Sequence, residues 1–162
     1  MNLKQKLELY DPLDVAILQH GYAPHLRDYE WIAETNWVGD RAGRYRYVFS
    51  HCVYSSCETR VRDDVWPTSW EDHFTDYQAW QLAGEPDGYV WGTCWALAYP
   101  GLKYIKGSRR AAEWSRRLGS EMHEITLETN AYFLALVFHD LGVERLSDET
   151  ELISKIHNPL RE

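Results

Sequence analysis

Seven histidines carry most of the acid–base chemistry this chain offers near neutral pH: His20, His25, His51, His73, His123, His139 and His157. Two of them bracket neighbouring apolar runs. His123-Glu124 opens one run, and His139-Asp140 closes the run 132–138. A tight hairpin around Asn130 brings His123 and His139 near each other across the pair. Two imidazoles with a carboxylate can hold a metal or move a proton. The plainer alternative has each imidazole satisfying a backbone group at a sheet end, since no spacing forces convergence. The other nucleophile candidates are weaker. Cys94 has no neighbouring base or cation to make a thiolate. Ser50 precedes His51, but adjacent residues on a strand point to opposite faces. No phosphate loop, dinucleotide fingerprint, CxxC or Cys/His zinc spacing occurs. No residue is therefore assigned a catalytic role, and no metal or cofactor is expected.

A second pattern suits recognition better than catalysis. Residues 58–87 hold eight carboxylates against Arg60 and Arg62, a net of −6 in a chain of net charge −8. Five of the eight tryptophans lie between residues 58 and 95: Trp66, Trp70, Trp80, Trp91 and Trp95. Carboxylates beside large aromatics can steer a basic protein and then anchor it. The candidate contact residues are Asp63, Asp64, Trp66, Trp70, Asp72 and Asp76. Against this stands an acidic helix whose tryptophans are simply core. The segment Lys103, Lys106, Arg109, Arg110, Arg116 and Arg117, opposed by Glu113, is basic by contrast, and a solvated helix face explains it. The overall negative charge disfavours nucleic acid as a partner.

The elements that position these residues follow from periodicity. Asp11-Pro12-Leu13-Asp14 predicts a helix over 11–20. Tyr29, Trp31, Ala33, Thr35 and Trp37 alternate with mostly polar residues, as a half-buried strand does. Tyr45, Tyr47, Phe49, His51 and Val53 repeat the pattern as its antiparallel partner, with His51 on the inward parity. Thr68-Ser69-Trp70-Glu71 opens a helix that ends at Gly84. Residues 89–99 form a strand with large side chains on one face, ended by Pro100-Gly101. Ser108 caps a basic helix closed by Gly119. Residues 124–128 and 132–138 make a hairpin, the second strand apolar at every position and therefore central. Residues 148–157 form a short terminal helix. The sum is one α+β domain over 1–162, its core at 11–146: about five mainly antiparallel strands with helices on one face.

Composition agrees with a globular domain at 44% hydrophobic and 26% charged residues. Aromatics reach 14%, which predicts a core rich in rings whose polar atoms need partners. Three cysteines, a charged N-terminus without an apolar run and no ~20-residue apolar span predict a cytoplasmic protein with reduced thiols and no membrane contact.

The strings Glu85-Pro86-Asp87-Gly88-Tyr89-Val90-Trp91-Gly92, Ala98-Tyr99-Pro100-Gly101, Met122-His123-Glu124 and Phe138-His139-Asp140-Leu141 resemble the YxiG-like family of small bacterial proteins. The resemblance covers residues 13–146, leaves the charged tail outside, and marks no catalytic residues. It implies a single-domain bacterial protein of the kind encoded near polymorphic toxins, where small acidic proteins serve as immunity factors. Two main readings stay open. One is a protein-binding factor, immunity- or antitoxin-like, that blocks a basic partner such as a toxin. The other is a small-molecule binder or enzyme with an aromatic pocket of Tyr47, Phe49, Tyr89, Trp91 and Trp95 and His51 as its polar group. A homodimer burying an aromatic patch is a third, blander expectation.

Overall fold

The computed structural model describes residues 2–12, 15–24, 27–35, 42–59, 77–84, 96–129 and 132–147. Its elements are α1 (Leu3–Leu9), β1 (Ala16–Tyr22), β2 (Tyr29–Thr35), β3 (Gly43–Ser50), β4 (Tyr54–Thr59), α2 (Tyr77–Leu82), β5 (Ala96–Tyr104), α3 (Arg109–Leu118), β6 (His123–Thr129), β7 (Tyr132–Phe138) and β8 (Asp140–Arg145). The predicted α+β class holds, but the architecture differs from five strands under a helical layer. Among the described residues eight strands run in the order β4-β7-β6-β5-β1-β2-β3-β8, all pairs antiparallel.

This order folds back on itself. β3 and β4 are one long strand interrupted at residues 51–53, and β7 and β8 are another interrupted at His139. The two pair with each other on both sides of the interruption, Phe49 with Leu141 and Tyr54 with Val137. The ladder continues across it through Val53 N–H to the Val137 carbonyl (2.8 Å) and His139 N–H to the Ser50 carbonyl (2.9 Å). Partners sum to 190 on one side and 191 on the other, a one-residue slip that bends the pair from one four-stranded sheet into the next. On the far side β1 and β5 join the sheets through Ala16–Leu97 and Ile17–Ala96.

The core fills the space between the sheets. Trp31, Tyr47, Phe49 and Phe138 are fully buried with Ile125, Leu127, Leu134, Leu136 and Leu141. Phe49 meets Trp31 and Phe138 edge-on at ring distances of 4.4 and 4.9 Å, the geometry aromatic quadrupoles favour. Polar atoms of these rings are largely satisfied: the Tyr47 hydroxyl donates to the Tyr10 carbonyl (2.9 Å), and Tyr29 meets His20 Nδ1 at 2.6 Å. Trp31 Nε1 has no partner among the described residues.

The helices lie in different places. α1 has a capping box between Asn2 and Gln5 and packs Leu3 and Leu7, with Tyr10 beyond it, onto the main core. α3 has the predicted Ser108 cap and left-handed Gly119, and sets Ala111 and Trp114 against Val137 on the opposite parity of β7. Arg110 of α3 lies 4.0 Å over the Tyr54 ring and pairs with the buried Glu124 at 2.7 Å, so it works as an anchor.

Four expectations need correction. Residues 16–20 of the expected helix belong to strand β1, because Val15 and Ile17 bury at period 2 and Ile17 pairs with Ala33 of β2; the described residues Asp11 and Pro12 are not helical, and a helix precedes them at α1. Pro100-Gly101 does not end β5: the register breaks between Ala98 and Gly101, and Gly101 takes φ +93°, so a bulge absorbs the proline. β8 has no counterpart among the expected strands. His51 is not inward but exposed, at φ +47° in the corner, where its amide is held by the Asp28 carboxylate at 2.9 Å. The terminal 148–157 helix, the 68–76 helix start and residues 85–95 fall outside the described residues.

The left-handed corner yields a stability prediction. A β-branched side chain is strained there, so His51→Val should lower unfolding free energy by about 1–2 kcal/mol while His51→Gly stays within about 1 kcal/mol of the parent, read by urea unfolding. Equal losses in both variants would show that the His51 side chain, rather than its backbone, matters.

Candidate functional site

The bend that closes the fold also opens a cleft. β6 and β7 remain paired up to His123–Phe138. One residue later the chain turns away to follow β3, so His139 and Asp140 separate from the segment that leads into β6. The gap is bridged by one bond, from His139 Nδ1 to the Glu121 carbonyl at 2.8 Å. The end of β5 and helix α1 complete the walls of a cleft of about 910 Å³. Its apolar part is Leu3, Leu7 and Leu102 beside the Tyr104 ring. His123 and His139 line it from either side of the break, and Lys4, Lys106, Glu8, Asp11, Glu121 and Asp140 supply charge of both signs. The volume lies in the range of small-ligand sites.

Hydrogen bonds fix the two imidazoles differently. A carbonyl only accepts, so His139 carries its proton on Nδ1 and its neutral form leaves Nε2 bare. His123 Nδ1 lies 3.2 Å from the Tyr104 hydroxyl. Burial holds the His123 pKa below its ordinary value, and His139 adds to the effect against the pull of Glu121 and Asp140. The Tyr104 hydroxyl can donate to or accept from this nitrogen, so the contact fixes the ring's place and serves either tautomer. The cleft thus presents two imidazoles, each held on its Nδ1 side by a neighbour. Burial pushes the Asp140 carboxyl up, but Lys6, 2.9 Å from both its oxygens, the Leu141 amide and His139 outweigh that and hold it below the usual carboxylate value. This pair also ties α1 to the start of β8.

The sequence-predicted residues are distributed as follows. His123 and His139 do meet at one site. His51 lies beside it, its ring 6.0 Å from that of His139, without lining the cleft. Tyr47 and Phe49 are packed in the core at 1% and 0% exposure and line no part of the cleft. Tyr89, Trp91 and Trp95 lie outside the described residues, as do Asp63, Asp64, Trp66, Trp70, Asp72 and Asp76, and Cys94. Cys52 and Cys57 are free thiols, both pushed up by burial. No cluster of metal-ligating side chains occurs among the described residues. Sequence reasoning missed Tyr104, Lys106, Lys6 and the leucines of α1. The one local signal for α1 was the Asn2/Gln5 spacing, and nothing local links Lys6 to Asp140.

Fold and site together define a small, mainly antiparallel α+β protein with a histidine-bearing cleft at the corner of its sheets. The family model described as YxiG-like protein matches residues 1–155, and the chain belongs to that family. The match runs past Leu146 into the tail that the resemblance alone left out. No curated protein and no solved structure matches the chain. No helix among the described residues is long and apolar enough to cross a membrane.

Burial also lowers the pKa of His20. For both rings the unfolded chain binds a proton more readily than the folded one, so the sign is fixed. Stability is complete above the ordinary value of 6.5 and falls as pH drops from there through the lower folded values. Urea unfolding at pH 7.5 and 5.5 should show the loss, and His123→Gln should reduce it. A pH-independent midpoint over this window would contradict the burial of both rings.

Proposed function

We propose that the protein is a binding protein whose ligand is a small organic molecule held in the cleft between α1, the end of β5 and the His139 corner. The observation that carries this reading is the convergence of Tyr104, His123, His139 and Lys106 on one concave surface with an apolar floor of leucines. A few directed polar groups over apolar lining is the usual composition of such sites. Both rings are held in place on their Nδ1 side before the ligand arrives, by Tyr104 and by the Glu121 carbonyl, which reduces the cost of ordering on binding. In a fragment screen followed by imidazole NMR, hits should move the His123 and His139 resonances and leave His20 in place. Tyr104→Phe should weaken those hits several-fold, the loss of about one hydrogen bond. Hits that move only His20, or none that move either cleft histidine, would reject the reading.

A second reading rests on charge. The −6 carried by residues 58–87, with Trp66 and Trp70 among the acids, supports a cytoplasmic protein-binding factor of the immunity type that blocks a basic partner. Carboxylates would speed encounter and an aromatic anchor would slow release. Charge reversal at Asp72 and Asp76 should weaken capture of such a partner markedly at low salt. Unchanged capture by the doubly reversed variant would set this reading aside.

A further inference from the structure

Two of the charges around the cleft have no ion-pair partner among the described residues, and they say what an occupant must bring. Lys6 is closed on Asp140 through both carboxylate oxygens at 2.9 Å. Lys4 faces Glu8 one helical turn away at 3.7 Å. Asp11 is also engaged. Lys106 and Glu121 have no ion pair among the described residues. They flank one strand pair: Lys106 follows β5, Glu121 precedes β6, and the Ile105 amide ties these ends together on the Glu124 carbonyl at 2.9 Å. One cation and one anion thus line the same cleft as the leucines and the Tyr104 ring.

An occupant that fills the apolar part displaces water from both charges. Removing water from an ion costs free energy unless the occupant supplies the opposite charge. A purely anionic ligand answers Lys106 and is repelled by Glu121; a purely cationic one does the reverse. An uncharged ligand leaves both unanswered. We propose that the ligand of the cleft is zwitterionic: an apolar body bearing a free amino group for Glu121 and a carboxylate for Lys106, as a short apolar peptide with unblocked termini has. The proposal rests on the small-ligand reading of the cleft and names the chemical class that this site takes.

The test uses the full chain and three probes with one body: the dipeptide Leu-Phe, its N-acetylated form and its C-amidated form. Titration calorimetry should show the free dipeptide binding at least about tenfold more tightly than either blocked form. Lys106→Gln should abolish the preference over the amide, and Glu121→Gln the preference over the acetylated form. Both side chains are outside the core, so the variants should keep the parent's urea midpoint. Equal binding of all three probes overturns the proposal. So does failure of the dipeptide to bind while other fragments still move His123 and His139, an outcome that leaves the cleft reading standing. If no fragment of any charge moves those rings, the cleft reading itself fails.

Discussion

The ladder shared by the two bent strands governs the rest of the molecule. Strands β3–β4 and β7–β8 hold to each other on both sides of a corner, and two corner amides keep the pairing continuous. A flat sheet of eight strands would leave an aromatic face open to water. Because this pair passes from one sheet to the other, the faces carrying Trp31, Tyr47 and Phe49 and those carrying Leu127, Leu134 and Phe138 enclose one another. The cost is local. The register slips by one residue, and His51 takes a left-handed conformation that its Cβ disfavours. Many buried rings offset one strained residue, because each buries on the order of 150–250 Å².

The same bend explains where the chemistry sits. A strand that leaves one neighbour to follow another opens a crevice at the point of departure. Here β7–β8 leaves β6 at His139, and the crevice is walled by α1 and the end of β5. The residues at the break cannot contribute to two ladders, so their side chains and some of their polar atoms are free for other partners. His139 and Asp140 are such residues, and each is fixed by a contact from a distant part of the chain. Partial burial then holds the His123 pKa below its ordinary value, so this ring favours its neutral form. Local topology thus selects the functional groups, desolvation favours the neutral form of His123, and Lys6 favours the charged form of Asp140.

The sequence was most legible where one face is buried and the period is unbroken. β2 and β3 are plain from the alternation of Tyr29, Trp31 and Ala33 and of Tyr45, Tyr47 and Phe49. The continuous apolar run 132–138 correctly marked a strand, and its part 134–138 is covered on both faces, by the core and by α3. Ser108 and Gly119 bounded α3. The hairpin register put His123 and His139 at one end of their strand pair, and the plainer alternative also applies, since His139 satisfies the Glu121 carbonyl. Legibility failed where long-range pairing overrides a local signal. Asp11-Pro12 advertises a helix, yet β1 buries Ile17 against β2 and becomes a strand. The Pro100-Gly101 stop is absorbed by a bulge. β8 has only Leu141 and Val143 facing inward among exposed residues, too short a repeat to recognise, and it exists because β3 needs a partner. Periodicity along one chain also cannot reveal that a sheet folds over on itself. It indicates one layer of strands where there are two, and so it leaves the crevice between β6 and β8 invisible.

Amide hydrogen exchange at Val53 and His139 tests the continuous corner most directly, since both the enclosed core and the cleft follow from it. If the ladder crosses the corner, these two amides should exchange as slowly as those of β3 and β7 on either side, within about a factor of ten. Exchange at free-chain rates, with β3 and β7 still protected, would mean that the sheets are not joined there and that the bend of β7–β8 is not what opens the cleft.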